Sequence, residues 1–268
     1  MAWVLRGLRD GVVTTRYPRQ PDDYGDGFKA SVSVIAGSGD MLEGDAGRAT
    51  GVAEKLAGLC PTGAIRLESG LRVDRGACIL CGNCVKARPD LFAFDSSPEV
   101  ATIGRQSLVV PSEDDDSLGL VRAELAKRVR TLRRSIHVRH VDAGSDGGEE
   151  WEVAALTNPI YDVQRLGIFF TASPRHADVL LVTGVGTAGM AGPLRRTFEA
   201  MPDPKVVIAA GTDATSGGIV HPTYASGDGV GSIVPVDVWV PGSPPSPFSL
   251  LHGICVGIGL LAGAESAK

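Results

Sequence analysis

The chain has 268 residues, 43% of them hydrophobic and 21% charged, so it can build a real core and has room for two modest domains. A formal net charge of −5 gives no electrostatic support for a nucleic-acid role. Thirty-five glycines beside 5% aromatic residues suit an α/β protein with many tight loops.

At the N-terminus Met1 leads into "AWVLRGLRDG", which has neither a long apolar region nor a cleavage site, so no signal peptide is expected. The chain reads as cytoplasmic, where disulfides are rare and clustered cysteines usually mean metal. There are five cysteines: Cys60, Cys78, Cys81, Cys84 and Cys255. The stretch "CILCGNCVKARP" gives C-x₂-C-x₂-C and then Arg88, where a ferredoxin run of the form C-x₂-C-x₂-C-x₃-C-P wants its fourth cysteine. Cys60, in "LCPTGAI", is the cysteine before a proline that in two-cluster ferredoxins ligates the other half's cluster. Cys60, Cys78, Cys81 and Cys84 therefore supply the four thiolates of one [4Fe–4S] cube. The ligands of a second cluster fall on Leu56, Ala53, Thr50 and Arg88, so that cluster is expected to be absent and its place filled in part by apolar side chains. A tetrahedral zinc knuckle is the competing reading. The third thiolate of the triplet does not suit two-plus-two ligation, which favours iron–sulfur over zinc. Purely structural cysteines are a third reading. Cys255, alone in an apolar run, is expected to be a small core residue.

The motifs "CPTGAI" and "VDRGACILCGNC", with "LRDGVVTTRYP" (Leu8 to Pro18) before them, resemble the bacterial-type ferredoxin subunits of respiratory complex I and of membrane-bound [NiFe]-hydrogenases. The resemblance covers roughly residues 1 to 110. It implies a bacterial ferredoxin-like domain whose leading segment runs along a membrane arm.

"PSEDDDSLG" (Pro111 to Gly119) then reads as an acidic, solvated linker. "LVRAELAKRVRTLRRS" follows, with Leu120, Leu125, Val129 and Leu132 at broadly helical spacing, and reads as a basic connecting helix. The expected division is 1–110, a linker and helix over 111–134, and a second domain over 135–268. From Ser135 the runs "SIHVRHV", "LGIFFTA", "DVLLVTG", "KVVIAAG" and "VPVDVWV" predict five strands. Helical stretches fall between them, notably "AGPLRRTFEAMP", and "PFSLLHGICVGIGLLAG" predicts a buried C-terminal helix too short and glycine-rich to span a bilayer. Apolar strands alternating with helices predict a parallel sheet covered on both faces, with functional groups in loops beyond the strands' carboxyl ends. "TGVGTAG" lacks the full dinucleotide-binding pattern, so no nucleotide is expected.

"RHVDAGS", "NPIYDVQRLGIFFTASPRHADVLLVTG", "PLRRTFEAMPDPKVVIAAGTDATSGGI" and "VPVDVWVPGSPPSP" resemble the small subunit of the group 4, energy-converting [NiFe]-hydrogenases and its complex I counterpart, the 20-kDa-subunit-like domain. The resemblance covers residues 135 to about 260. It implies a flavodoxin-like parallel-sheet domain that, in the family, carries the last [4Fe–4S] cluster before the large subunit. Its ligand motifs are S-C-x-G-C-E, G-x-C-A-x-x-G-G and P-G-C-P-P. This chain departs at every ligand: the four positions hold Asp146, Glu149, Asp213 and Ser243. The terminal cluster is therefore expected to be absent. Three fates are open to the emptied pocket: water and ion pairs, with Arg175 and His176 as partners; a hard divalent cation such as Mg²⁺ or Ca²⁺; or a protonated carboxyl taking part in proton movement.

No nucleophile–base pair stands out, and His137, His140, His176, His221 and His252 show no ligand spacing. The chain is read as a subunit of an oxidoreductase-like complex without catalytic residues of its own. The resemblance implies two partners, a hydrogenase large-subunit or complex I 49-kDa-like subunit and a set of membrane-arm subunits, with the chain peripheral on the cytoplasmic face of the inner membrane. Two functions follow: an electron-transfer subunit with one cluster, or a redox-silent scaffold docking the large-subunit homologue onto the membrane arm with a purely structural cluster.

Overall fold

A computed structural model describes residues 2–20, 24, 27–35, 55–67, 70–111, 116–130, 132, 135–220 and 222–261. Thr50, Ala53, His221 and linker residues 112–115 lie outside them.

The helix Ala2–Asp10 leads the chain, with Trp3, Leu5 and Leu8 exposed. The segment after it docks far along the sequence: the Thr15 amide donates to the Ile160 carbonyl at 2.8 Å, and Thr14 Oγ1 to the Pro159 carbonyl at 2.7 Å. Tyr17 meets the Phe248 ring edge-on, 5.9 Å between centroids. Two small antiparallel sheets follow. Strand β1 (Ser31–Val34) pairs with β4 (Phe92–Asp95), and β3 (Arg72–Asp74) lies between β2 (Ile65–Arg66) and β5 (Val109–Val110). Val32, Leu56, Ile65, Leu71, Val73, Leu91 and Phe92 form one core there. Leu56 is 2% exposed and belongs to this core, while Arg88 turns outward to a surface pair with Asp90.

Asp74 is fully buried and accepts from Arg66 at 2.6 Å and from Arg105 at 2.8 and 2.9 Å. Although burial works against its charge, the two guanidiniums hold its carboxyl below the usual range.

All five strands expected after Ser135 form, as β6 (Ile136–Asp142), β7 (Ile168–Phe170), β8 (Val179–Thr183), β9 (Val206–Ala210) and β10 (Val238–Val240). They make one parallel sheet in the order β10-β9-β8-β6-β7. Alternation along each strand splits their side chains between two cores. Val138, Val179, Leu181, Ile208 and Val240 join the helix Pro247–Gly257, which is buried along its whole length. Leu180, Val182, Val207 and Ala209 join Leu194 of the helix Ala188–Ala200 on the other face. Every residue of β8 and β9 is buried, as two-sided cover requires. Ser246 caps the C-terminal helix, its Oγ accepting from the Ser249 amide at 3.2 Å.

The connecting helix spans Asp116–Val129, so it begins inside the stretch expected to be linker. Its first residue, Asp116, is acidic, which suits the positive end of a helix. Leu125 and Val129 are buried on the sheet domain, whereas Leu120 is 76% exposed and is not part of the stripe.

Candidate metal centre

The turn after Cys78 is shaped by two left-handed residues, Leu80 (φ 55°) and Gly82 (φ 75°), which precede the short helix Asn83–Ala87. A Cβ at Gly82 would come to 3.0 Å from the Phe94 ring, so glycine suits both the backbone and the space. The turn points the Leu80 amide at the Cys78 sulfur and the Val85 amide at Cys84. Cys60 stands across a small cavity, its sulfur 3.2 Å from the Ala64 amide and 3.4 Å from Thr62 Oγ1. Cys60, Cys78, Cys81 and Cys84 all line that cavity with Val32, Ile65 and Val73.

Burial pushes the Cys78 thiol up to about 11, and the nearby Cys60, Cys84 and Cys81 add to it. Cys84 is raised for the same reasons. Thiols raised in this way, as at Cys78 and Cys84, are costly to ionise unless positive charge joins them, and a metal centre supplies that charge. Among the described residues no three His, Cys, Asp or Glu side chains gather around a single ion position. In a cube each of four such thiolates takes its own iron. The donor set, the apolar wall and the N–H···S contacts fit a [4Fe–4S] group. Cys255 lies apart, fully buried in the sheet core, its thiol pushed to about 12 by burial.

The positions read as lost terminal ligands also come together. Asp146 follows β6, Asp213 follows β9 and Ser243 follows β10, so all lie beyond the carboxyl ends of the sheet. Sheet order reverses direction at β6, with β7 on one side and β8 on the other, and parallel sheets bind ligands at such a switch point. Glu149, in the first turn of the helix Gly148–Ala155, is 3% exposed; Asp213 and Ser243 are half-buried and Asp146 is exposed. Glu149 Oε1 fills the space above Gly211, where a Cβ would stand 2.5 Å from it. Burial raises the Glu149 carboxyl from 4.5 to about 7, aided by Asp213, Asp146 and Glu150. Asp213 is raised by burial, Asp146 and Glu150.

Arg175 and His176 do not pair with these carboxylates. They precede β8 and so sit at the amino end of the sheet, the opposite edge from the pocket.

Sequence reasoning missed the partners of Glu150, next to Glu149. Ser145 Oγ donates to Glu150 Oε2 at 2.6 Å, Thr183 Oγ1 donates to Oε1, and His140 Nε2 lies 3.0 Å from Thr183 Oγ1. It also missed Thr212, which is fully buried and donates from Oγ1 to the Cys78 carbonyl at 2.9 Å. The cysteine cavity thus abuts the emptied loop directly. The Thr183, His140 and Thr212 pairings join distant parts of the chain and leave no local signal.

Residues 71–120 match the 4Fe-4S single cluster domain family, and residues 147–256 match the family of the NADH ubiquinone oxidoreductase 20 kDa subunit. Over 152 residues the chain is 43% identical to formate hydrogenlyase subunit 7 of Escherichia coli strain K12, a match spanning 57% of this chain and 58% of that relative. Over 145 residues it is 41% identical to the probable membrane-bound hydrogenase subunit mbhJ of Pyrococcus furiosus, spanning 53% of this chain and 87% of that one. A chain from the structure of the membrane-bound sulfane sulfur reductase, an archaeal respiratory membrane complex, is 30% identical with a TM-score of 0.44, covering 49% of this chain and 73% of that chain. The chain belongs to the family of the complex I 20 kDa subunit and the group 4 hydrogenase small subunit, with a 4Fe-4S domain fused ahead of it and other residues in place of the terminal cluster's cysteines.

Proposed function

We propose that the chain is the iron–sulfur subunit of a membrane-associated, hydrogenase-related assembly and carries one [4Fe–4S] cluster, on Cys60, Cys78, Cys81 and Cys84, as a one-electron relay. The observation that carries this reading is the convergence of those four cysteines on one apolar cavity. When bound, the cluster supplies reversible one-electron storage. The amides of Leu80, Val85 and Ala64 stabilise negative charge on the sulfurs, and the half-buried setting of three of the cysteines limits solvent. Residues 1–110 are proposed as the ferredoxin-like unit, 111–134 as the connection and 135–268 as the small-subunit-like domain of flavodoxin-like type. The proposed partners are a large-subunit homologue and membrane-arm subunits, on the cytoplasmic face of the membrane. No described helix is long and apolar enough to cross a bilayer.

The second ferredoxin cluster and the terminal cluster are proposed to be absent, because Leu56 and Arg88 occupy ligand positions of the one and Asp146, Glu149, Asp213 and Ser243 those of the other. That loss favours a second reading, the redox-silent scaffold, in which cluster binding serves only folding. Iron, labile sulfide and spin content of the anaerobically purified chain test the proposal. About four irons with equal sulfide, and a cluster that accepts and returns one electron, agree with a relay. A cluster that cannot be reduced at any accessible potential leaves the scaffold, and about eight irons overturn the loss of the terminal site.

A further inference from the structure

Glu149 and Glu150 are neighbours with opposite surroundings. Glu150 accepts from Ser145 and Thr183 and lies 3.7 Å from His140. Glu149 is 3% exposed while Asp146 is exposed, and among the described residues its carboxyl accepts from its own backbone amide alone, with no ion pair reaching it. The groups facing it are acidic: Asp213 from the loop after β9, Asp146 from the loop after β6, and Glu150 from its own helix. A buried carboxyl facing three acidic groups and no cation holds its proton more readily than an exposed one.

The path from this carboxyl to the cysteine cavity is short and continuous. Glu149 Oε1 packs on Gly211; Gly211 is bonded to Thr212; and Thr212 Oγ1 donates to the carbonyl of Cys78. Gly76, two residues before Cys78, packs against Thr215 of the same loop, where a Cβ would stand 2.6 Å from the threonine methyl. Thr212 and Gly211 are buried, so charge on either side is poorly screened. Exposed Asp146 and half-buried Asp213 open the pocket to water, which lets protons exchange.

We propose that Glu149 is the proton-holding residue of a proton-coupled redox site: when an electron is loaded on the cluster held by Cys60, Cys78, Cys81 and Cys84, Glu149 takes up one proton from solvent, and it returns that proton when the electron leaves. The step balances as one electron from a one-electron donor and one proton from water, converting the Glu149 carboxylate to its acid and forming no other bond. It rests on the single-cluster reading above. Its direction follows from charge. An added negative charge across Thr212 raises the affinity of Glu149 for a proton, and by linkage a protonated Glu149 raises the affinity of the cluster for an electron.

The test is a mediated redox titration of the anaerobically purified full chain, followed by cluster absorbance and spin signal, at a series of pH values. Below about 7 Glu149 carries its proton in both redox states and the midpoint potential is flat. Above it, the potential falls with rising pH toward the one-proton, one-electron limit of about 59 mV per tenfold change in proton activity. In Glu149→Gln, a neutral isostere, the potential is expected to stay flat across that range. In Asp213→Asn, which removes a facing negative charge, the onset is expected to move to lower pH; this variant carries the test if Glu149→Gln loses its cluster. A wild-type potential flat with pH, a slope that survives in Glu149→Gln, or an unmoved onset in Asp213→Asn overturns the inference and leaves the relay standing. A chain that binds no iron overturns the relay and this inference together.

Discussion

Among the cysteines, position decides chemistry. Cys81 is exposed while Cys60, Cys78 and Cys84 are half-buried, so Cys81→Ser is expected to keep the fold and lose iron, read as iron per chain by elemental analysis. Cys255 touches only core, and Cys255→Ala is expected to keep the full iron content while costing about 1 kcal/mol in chemical denaturation, the order of a small core deletion. Glu149 makes a separate prediction in the fold itself. Its folded carboxyl binds protons more tightly than the ordinary 4.5, so between about 4.5 and about 7 the native state holds more protons than the unfolded state. Stability therefore falls as pH rises through that window and levels off above it. Urea midpoints measured across pH should show that slope in the wild type and lose it in Glu149→Gln. An absent slope would mean that Glu149 is not insulated from water.

Among the elements, two junctions hold the sites in place. Asp74 ties β3 to Arg105 and β2, and it is fully buried between two arginines. Asp74→Ala removes the hydrogen bonds to two partly exposed arginines and is expected to cost about 1.5–3 kcal/mol, read as a shift in the denaturation midpoint and in protease resistance of residues 55–110. The C-terminal helix gives a milder case. Ser246→Ala removes its cap and should cost about 1 kcal/mol with iron content unchanged. Should that variant lose iron, the helix would be supporting the cysteine loop in a way its contacts do not suggest.

Across the whole molecule, the two halves are not beads on a string. Thr102 makes an antiparallel bridge with Trp239 beside β10, the Ala101 amide donates to His252 Nδ1 at 3.2 Å, and Tyr17 and Phe28 both meet Phe248. Ala101, Ile103, Leu125 and Val129 are built into the core of the parallel sheet. A chain beginning at residue 135 would uncover these apolar contacts, and it is expected to bind a hydrophobic dye and melt at lower temperature than the full protein, by calorimetry. Equal melting temperatures would show that the sheet domain is self-sufficient.

The sequence alone determined the parallel sheet, because five apolar runs separated by helices can satisfy their backbone groups and cover both faces in few other ways. It also offered the four-cysteine set proposed above, since the crossed spacing of Cys60 with Cys78, Cys81 and Cys84 is a local pattern written in the chain. Leu56 in the core and Cys255 apart from the site were legible for the same reason: residue type and neighbourhood agree. The connecting helix begins at Asp116, earlier than the apolar spacing from Leu120 indicated, because an acidic residue suits a helix start as readily as a loop. What only the tertiary structure decided is which distant groups meet. Arg175 and His176 stood close to the right strands in sequence but at the wrong end of them, and Thr212 carried no sign of its bond to Cys78. Strand direction and loop packing set those distances, and the fate of a buried carboxyl such as Glu149 depends on them rather than on its neighbours in the chain.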